Sequence, residues 1–230
     1  MQKAQYLNIV FRGKNIPWAY QIRTIMNEEQ KKRFFKSELP DIEKTISRKL
    51  STINILVDNT NMEMRVINRI LFEHQEEVND CLENCKAFYF NDIHHIYRVI
   101  AYFEATLIQM VAVIDLLIKY ISTYYRQILK IKKNNRLILE MLKKDGINTE
   151  WKRELYFIRR IVTHYHSGWP SFRKQGKYFQ LIINFPKSVR KMKEYKDYPY
   201  EKLEINQINN IFRNFEKFYK NVAEWVVNAG

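Results

Sequence analysis

A chain of 230 residues with 46% hydrophobic content can bury one large core or two small ones, and five glycines with five prolines are too few for the tight turns of an all-β protein. No charged n-region with an apolar stretch behind it opens the sequence, so no signal peptide is expected. The formal charge of +14 is one-sided: residues 1–115 hold 15 basic and 15 acidic side chains, whereas residues 116–230 hold 24 basic against 10 acidic. Such a field favours polyanions, nucleic acid first and an acidic membrane surface second. The Lys, Asn, Ile and Tyr bias of AT-rich coding sequence would account for the number of lysines better than for their segregation.

Residues 1–26 are ambiguous, with Tyr6 to Phe11 suiting a short strand ended by Gly13. Helical pattern then dominates. Pro40 sits where a first-turn proline belongs, and Ile42, Ile46, Leu50 and Ile53 follow on one face. Asp58-Asn59-Thr60-Asn61 predicts a break. Met64, Ile67, Leu71, Val78 and Leu82 mark the next helix, whose outer face is acidic. Cys81 and Cys85, one turn apart with no second ligand pair nearby, read as helix-surface thiols of a reducing cytosol.

Asn91 or Asp92 caps a long helix from about Ile93 to about Leu129, expected to be central. Its most apolar stretch, Ala101 to Ile121, contains Glu104, Gln109, Asp115 and Lys119, which predicts a buried helix rather than a membrane span. Asn134-Asn135 and Asp145-Gly146 bracket a short helix. The next helix starts after Thr149 as N-cap and stops at Gly168 and Pro170, with Trp151, Leu155, Ile158 and Val162 as its core stripe.

Beyond Pro170, Phe179, Leu181, Ile183 and Phe185 alternate with Tyr178, Gln180, Ile182 and Asn184, which is strand periodicity. Lys187 to Tyr200 is a basic, tyrosine-bearing connection with no clear core face. Leu203, Ile208, Ile211, Phe215, Phe218, Val222, Trp225 and Val226 form the stripe of a last helix. The fold expected is mainly α, a helical bundle with a small β hairpin or short strands near 178–186, in one domain.

Chemistry concentrates on the helix from Trp151. Arg159 and Arg160 lie just off its core stripe, and His164 and His166 close its last turn. A fixed guanidinium suits phosphate oxygens, and an imidazole trades protons near neutral pH. The same cations would also complement the negative end of a helix dipole. Arg173 and Lys174, a few residues on, join Arg160 as candidate substrate-binding cations. Three spacings are open: Arg159 to His164, Arg160 to His166 and Arg159 to His166. An ideal helix places Arg159 and His166 about 20° apart, and Arg159 and His164 about 140° apart.

Glu104 and Asp115, eleven residues apart, fall within about 20° of each other on the long helix. Carboxylates in so apolar a helix need partners, and one of them is a candidate to orient Arg159 or Arg160, against a purely structural ion pair. His94 and His95 point about 100° apart and do not chelate one ion. His74, among Glu73, Glu76 and Glu77, reads as a solvated face. The aromatic residues interleaved with lysines from Tyr178 to Tyr200 suit base stacking or core packing equally. No Gly-rich phosphate loop, nucleophile elbow or Cys/His zinc spacing is present, so neither a cofactor nor a metal is expected.

The string Arg159-Arg160-Ile161-Val162-Thr163-His164 resembles the R-x4–6-H signature of the HEPN superfamily (higher eukaryotes and prokaryotes nucleotide-binding domains), carried on a late helix of a helical bundle. The stretch Tyr102 to Leu117 is also similar to the acidic-flanked central helix of several of its branches. The resemblance covers roughly residues 90–170 and departs from the common pattern at Arg160, where Asn, Asp or His is usual. It implies one HEPN-like domain, with N-terminal helices over 1–90, a motif-bearing core over 91–170, and a β addition with the C-terminal helix over 171–230. It also implies a metal-independent, toxin-like RNA endonuclease leaving 2′,3′-cyclic phosphate ends. Arg159 and His164 rank first as catalytic residues, with His166 in reserve. The implied partners are RNA, a second copy of the chain, and an antitoxin-like protein. The implied setting is cytoplasmic, with no membrane. Silent members of the superfamily imply the alternative, a nucleic-acid or protein binding module.

Overall fold

A computed structural model of the chain describes residues 6–8, 17–83, 93–164, 169–175, 178–199 and 201–228, with the side chains of 17–20, 82, 164, 169, 170, 175, 178 and 194 excepted. The fold is mainly α. In chain order the described elements are α1 (Pro17–Ile25), α2 (Glu28–Lys36), α3 (Leu39–Glu73), α4 (Gln75–Glu83), α5 (His94–Thr123), α6 (Asn135–Lys144), α7 (Trp151–His164), β1 (Trp169–Gln175), β2 (Tyr178–Asn184), β3 (Lys202–Glu204) and α8 (Ile205–Asn228). They form two compact units that interleave in sequence. One comprises residues 1–8, 55–106 and 157–210, the other 9–54, 107–156 and 211–230.

The break expected at Asp58 to Asn61 does not occur: α3 runs unbroken through it. Each polar group there has a use compatible with a helix. Thr60 is buried and its hydroxyl donates to the Leu56 carbonyl at 2.7 Å. Asn61 accepts from the Leu7 N–H at 2.9 Å and donates to the Leu7 carbonyl at 3.0 Å, serving a second stretch of chain as a strand neighbour would. Asn209 does the same for the flanking backbone, accepting from Asn8 N–H and donating to Tyr6 O. Residues 6–8 belong to no helix or strand and are held by these side chains, and Ile9 to Gly13 lie outside the described residues.

In the unit of residues 9–54, 107–156 and 211–230, α5 supplies a long run of core side chains. Leu107, Met110, Val113, Ile114, Leu117 and Tyr120 are inaccessible or nearly so. By length and composition the stretch His94–Ile128 could also cross a bilayer, with half of its most apolar window buried in this structure. α5 closes in a π-helical turn, Tyr124–Ile128, where the Tyr125 ring stacks on Trp225 of α8. Trp151 opens α7 and meets the edges of Phe215 and Phe218 at 6.3 and 5.8 Å. Burying such side chains contributes about 1.5–3 kcal/mol each. The side-chain oxygen serving the start of α7 is that of Asn148, which accepts from Glu150 N–H at 2.9 Å, while Thr149, expected to cap, is buried. The bracketing of α6 is as expected: Asn134 accepts from Leu137 N–H, and Gly146 adopts φ +79° behind its end.

A buried polar set lies in this unit. Glu43 accepts from the Tyr120 hydroxyl at 2.8 Å and pairs with Arg23, whose guanidinium also rests over the Phe34 ring at 5.2 Å. Burial raises the Glu43 carboxyl above its ordinary range, opposed by the Tyr120 hydrogen bond and Arg23. Burial and the Glu43 charge push the Tyr120 phenol upward.

The unit of residues 1–8, 55–106 and 157–210 contains an antiparallel sheet ordered β1-β2-β3. α7 ends at His164, ahead of the expected stop at Gly168 and Pro170, and Pro170 belongs to the sheet. It lies on edge strand β1, where a missing N–H is tolerated, opposite Ile183. β2 is central, and residues 179 to 183 are all buried, so the sequence alternation does not sort into a core face and a solvent face. The Phe179 N–H donates to Asn68 of α3 at 2.9 Å. The Lys187–Tyr200 connection has a core face after all, since Val189 and Met192 are buried between short 3-10 turns. Leu203, read as part of the last helix, is the buried centre of β3.

Candidate functional site

The C-terminal half of α7 is anchored by apolar side chains. Phe157, Ile158, Ile161 and Val162 are buried, and the Tyr198 ring stacks on Phe157 at 5.7 Å. Phe179 is buried too, so these two aromatics of the basic stretch serve packing, whereas the side chains of Tyr178 and Tyr200 are not described. The opposite side of α7 exposes Arg153, Tyr156 and Arg160. Arg160 has an interaction partner of its own.

Arg159 stands on the flank between these faces and is half-buried. Its Nε is shielded from solvent and meets no hydrogen-bond acceptor, and no carboxylate pairs with its guanidinium among the described residues. The Arg159 carbonyl is occupied, accepting from the Thr163 hydroxyl at 2.8 Å. Buried donors are nearly always satisfied in folded proteins, so a bare, partly buried guanidinium calls for a functional account. His164 is the last residue of α7, its side chain undescribed, and His166 lies outside the described residues. The structure accordingly leaves the three Arg/His spacings open.

The remaining candidates are distributed as follows. Glu104, half-buried on α5, belongs to the same compact unit as Arg159 and has an interaction partner. Asp115 belongs to the other unit, where it is exposed and accepts from the Tyr156 hydroxyl at 2.5 Å. There its charge also opposes the burial that lowers the Lys152 ammonium to about 8, a shift to which Lys143 adds. Arg173 and Lys174 lie on β1 and are both engaged. Arg173 pairs with Glu204 of β3 at 3.1 Å, and Lys174 donates to Asn79 of α4 at 2.6 Å.

Sequence reasoning passed over a strong polar pair. His95, considered only as unable to share an ion with His94, is half-buried and pairs through Nδ1 with Glu63, which also faces Arg98 at 3.5 Å. The sequence signal was weak because Glu63 comes from another helix, α3. His74 pairs with Glu77 at 3.5 Å along one exposed face, and Cys81 is half-buried on α4, while Cys85 lies outside the described residues. Among the described residues no group of three or more His, Cys, Asp or Glu side chains is placed to hold a metal ion.

What the α7 end can do chemically follows from its parts. A guanidinium without a carboxylate keeps its donors for an incoming anion, and its planar fork matches two phosphate oxygens. Partial burial strengthens that attraction by excluding water. Compared with known protein families, curated proteins and solved structures, the chain matches none.

Proposed function

We propose that this protein is a metal-independent RNA endonuclease of HEPN type, acting as a cytoplasmic homodimer. The observation that carries the proposal is Arg159: a half-buried guanidinium with a shielded, unsatisfied Nε and no carboxylate partner among the described residues, one turn before the histidine that ends α7. It sits in the half of the chain that holds the entire charge excess. A side chain so placed is costly to the fold and useful to a phosphodiester.

In this reading a histidine of the motif, His164 first, takes the proton of a ribose 2′-hydroxyl. The freed oxygen attacks phosphorus, the bond to the 5′-oxygen breaks, and that oxygen leaves with a proton. Arg159 holds the phosphate as negative charge builds on its oxygens. The products are a 2′,3′-cyclic phosphate and a 5′-hydroxyl. The exposed line Arg153, Tyr156 and Arg160 of α7 is the surface that the motif helix of a second copy would meet. Arg160 then serves substrate binding, and an antitoxin-like protein is the regulator such an activity calls for.

Cleavage with excess EDTA tests the proposal. Wild type should cut single-stranded RNA and leave cyclic ends. Arg159→Ala and His164→Ala should each lower the rate by about a hundredfold to ten-thousandfold, with helical signal and Tm nearly unchanged. A silent His164→Ala with a dead His166→Ala moves the chemistry to the later histidine. Wild-type protein that binds varied RNAs and cuts none overturns the enzyme and leaves a binding module.

A further inference from the structure

From Asp115 to Glu140 the chain has no acidic residue, yet it carries Lys119, Arg126, Lys130, Lys132, Lys133 and Arg136. A single carboxylate, Glu38, faces the first two, at 2.6 Å from Lys119 and 3.8 Å from Arg126, and the Lys119 hydrogen bond holds it below the ordinary range. Among the described residues no acid pairs with the rest except Glu140, which faces an exposed Arg136 at 2.9 Å. Exposed pairs of that kind are worth little and yield readily to a competing anion. Lys132 and Lys133 have no ion pair among the described residues.

The backbone presents these cations on a curved wall. After the π-helical turn, Lys130 takes a left-handed conformation at φ 60°, with the Ile131 N–H donating to the Tyr125 carbonyl at 2.9 Å. For a residue with a Cβ that conformation is costly, and such strain concentrates at functional places. Ser122 donates to the Lys133 carbonyl at 3.1 Å, tying the loop back to α5. Between α5, the loop and the first turn of α6 lies a concavity of about 720 Å³, walled by Arg126, Lys132, Lys133, Asn134, Asn135 and Arg136. The positive end of the α6 dipole opens on the same space.

We propose that this concavity is a second anion site, binding backbone phosphates of a single-stranded RNA without taking part in its cleavage. The proposal rests on the RNA reading above for the identity of the strand. Its volume suits a nucleotide-sized group, and a curved cationic wall fits a flexible chain of phosphates better than a flat bilayer. Two lysines without an ion pair among the described residues and a lightly held arginine supply the charge, two asparagines add neutral donors, and contacts to phosphate carry no sequence information, so binding should be indifferent to sequence.

The test is fluorescence anisotropy of a labelled single-stranded 12-mer RNA against the full chain, carrying Arg159→Ala throughout so that cutting does not intrude. Lys132→Gln with Lys133→Gln should weaken binding tenfold or more at low salt. It should also flatten the slope of log affinity against log salt by about 1.4, as expected for two lost phosphate contacts on a single strand. Lys220→Gln, at an exposed cation already paired with Glu216 at 2.8 Å, should change affinity less than twofold. Inorganic phosphate should compete no better than chloride at equal ionic strength. Selective displacement by phosphate overturns the RNA site in favour of a small-anion pocket. An unchanged affinity and slope in the double lysine variant overturn the site altogether, as does absence of RNA binding at low salt. The two readings fail separately: lysine-dependent binding in this assay beside a wild type that never cuts sinks the nuclease and keeps this site, while a wild type that cuts beside lysine-independent binding does the reverse.

Discussion

Arg23 and Arg159 are both arginines in partly dry surroundings, and the two compact units equip them in opposite ways. Arg23 has Glu43 on one nitrogen and the Phe34 ring beneath it, and Tyr120 shares the carboxylate. Its Nε is as bare as that of Arg159, but the group as a whole is neutralised. Arg159 has no such counterion among the described residues. The difference teaches how to separate a charge kept for the fold from one kept for a ligand. A buried pair offsets part of its own desolvation, whereas a half-buried cation without a counterion gains its return only when an anion arrives.

The largest expected effect that would break this comparison is at Arg23. Arg23→Met strands Glu43 with Tyr120 alone and should cost about 3 kcal/mol of stability at neutral pH, read by urea unfolding. The deficit should shrink as pH falls toward 4, because a protonated Glu43 no longer needs a cation. A loss below about 0.5 kcal/mol would mean that the pair is idle, and the contrast with Arg159 would vanish.

Arg159→Met should act in the other direction, raising stability by about 1 kcal/mol because it removes an unsatisfied buried donor and keeps the apolar stem. A comparable fall in Tm would show that Arg159 is held by the fold and not in reserve for a ligand.

The smallest effect sharpens the partner side of the comparison. The Glu43 carboxyl titrates higher in the folded chain than in the unfolded one, so the folded state binds more protons between those two values. Its stability contribution is full below the unfolded value near 4.5 and is lost as pH rises through the folded value. Glu43→Gln removes that dependence while its amide oxygen can still accept from Tyr120. The variant's Tm relative to wild type should therefore climb as pH rises from 4 to 7, and a flat difference would rule out Glu43 as the titrating group.

The two basic stretches of the C-terminal half make a related point about charge. Arg173 and Lys174 look in sequence like Lys132 and Lys133. The sheet register, however, sets Glu204 two strands away from Arg173, and α4 supplies Asn79 to Lys174. Among the described residues no acid pairs with Lys132 or Lys133. Counting charges along the chain located the basic half correctly, but the surviving field belongs to whichever cations the fold leaves unanswered.

Elements whose signal is local were legible in the amino-acid order. The 3.6-residue stripe of α7, the predominantly apolar pattern of α5 and the Asn134 and Gly146 ends of α6 each follow from neighbours within a turn or two. The sequence by itself also determined the order Arg159, Arg160, His164 along one helix. Tertiary structure alone decided what long-range partners decide. Thr60 and Asn61 read as a break because polar groups free to bond elsewhere disfavour a helix, yet Asn61 is occupied by the Leu7 backbone, far away in sequence. Leu203 fits a helical stripe and a strand equally well until pairing with Ile183 chooses the strand. Arg159 and Arg173 are the same residue type in the same basic half. Only the fold puts a carboxylate beside one and leaves the other bare, because a counterion is a matter of distance in space and not of spacing along the chain.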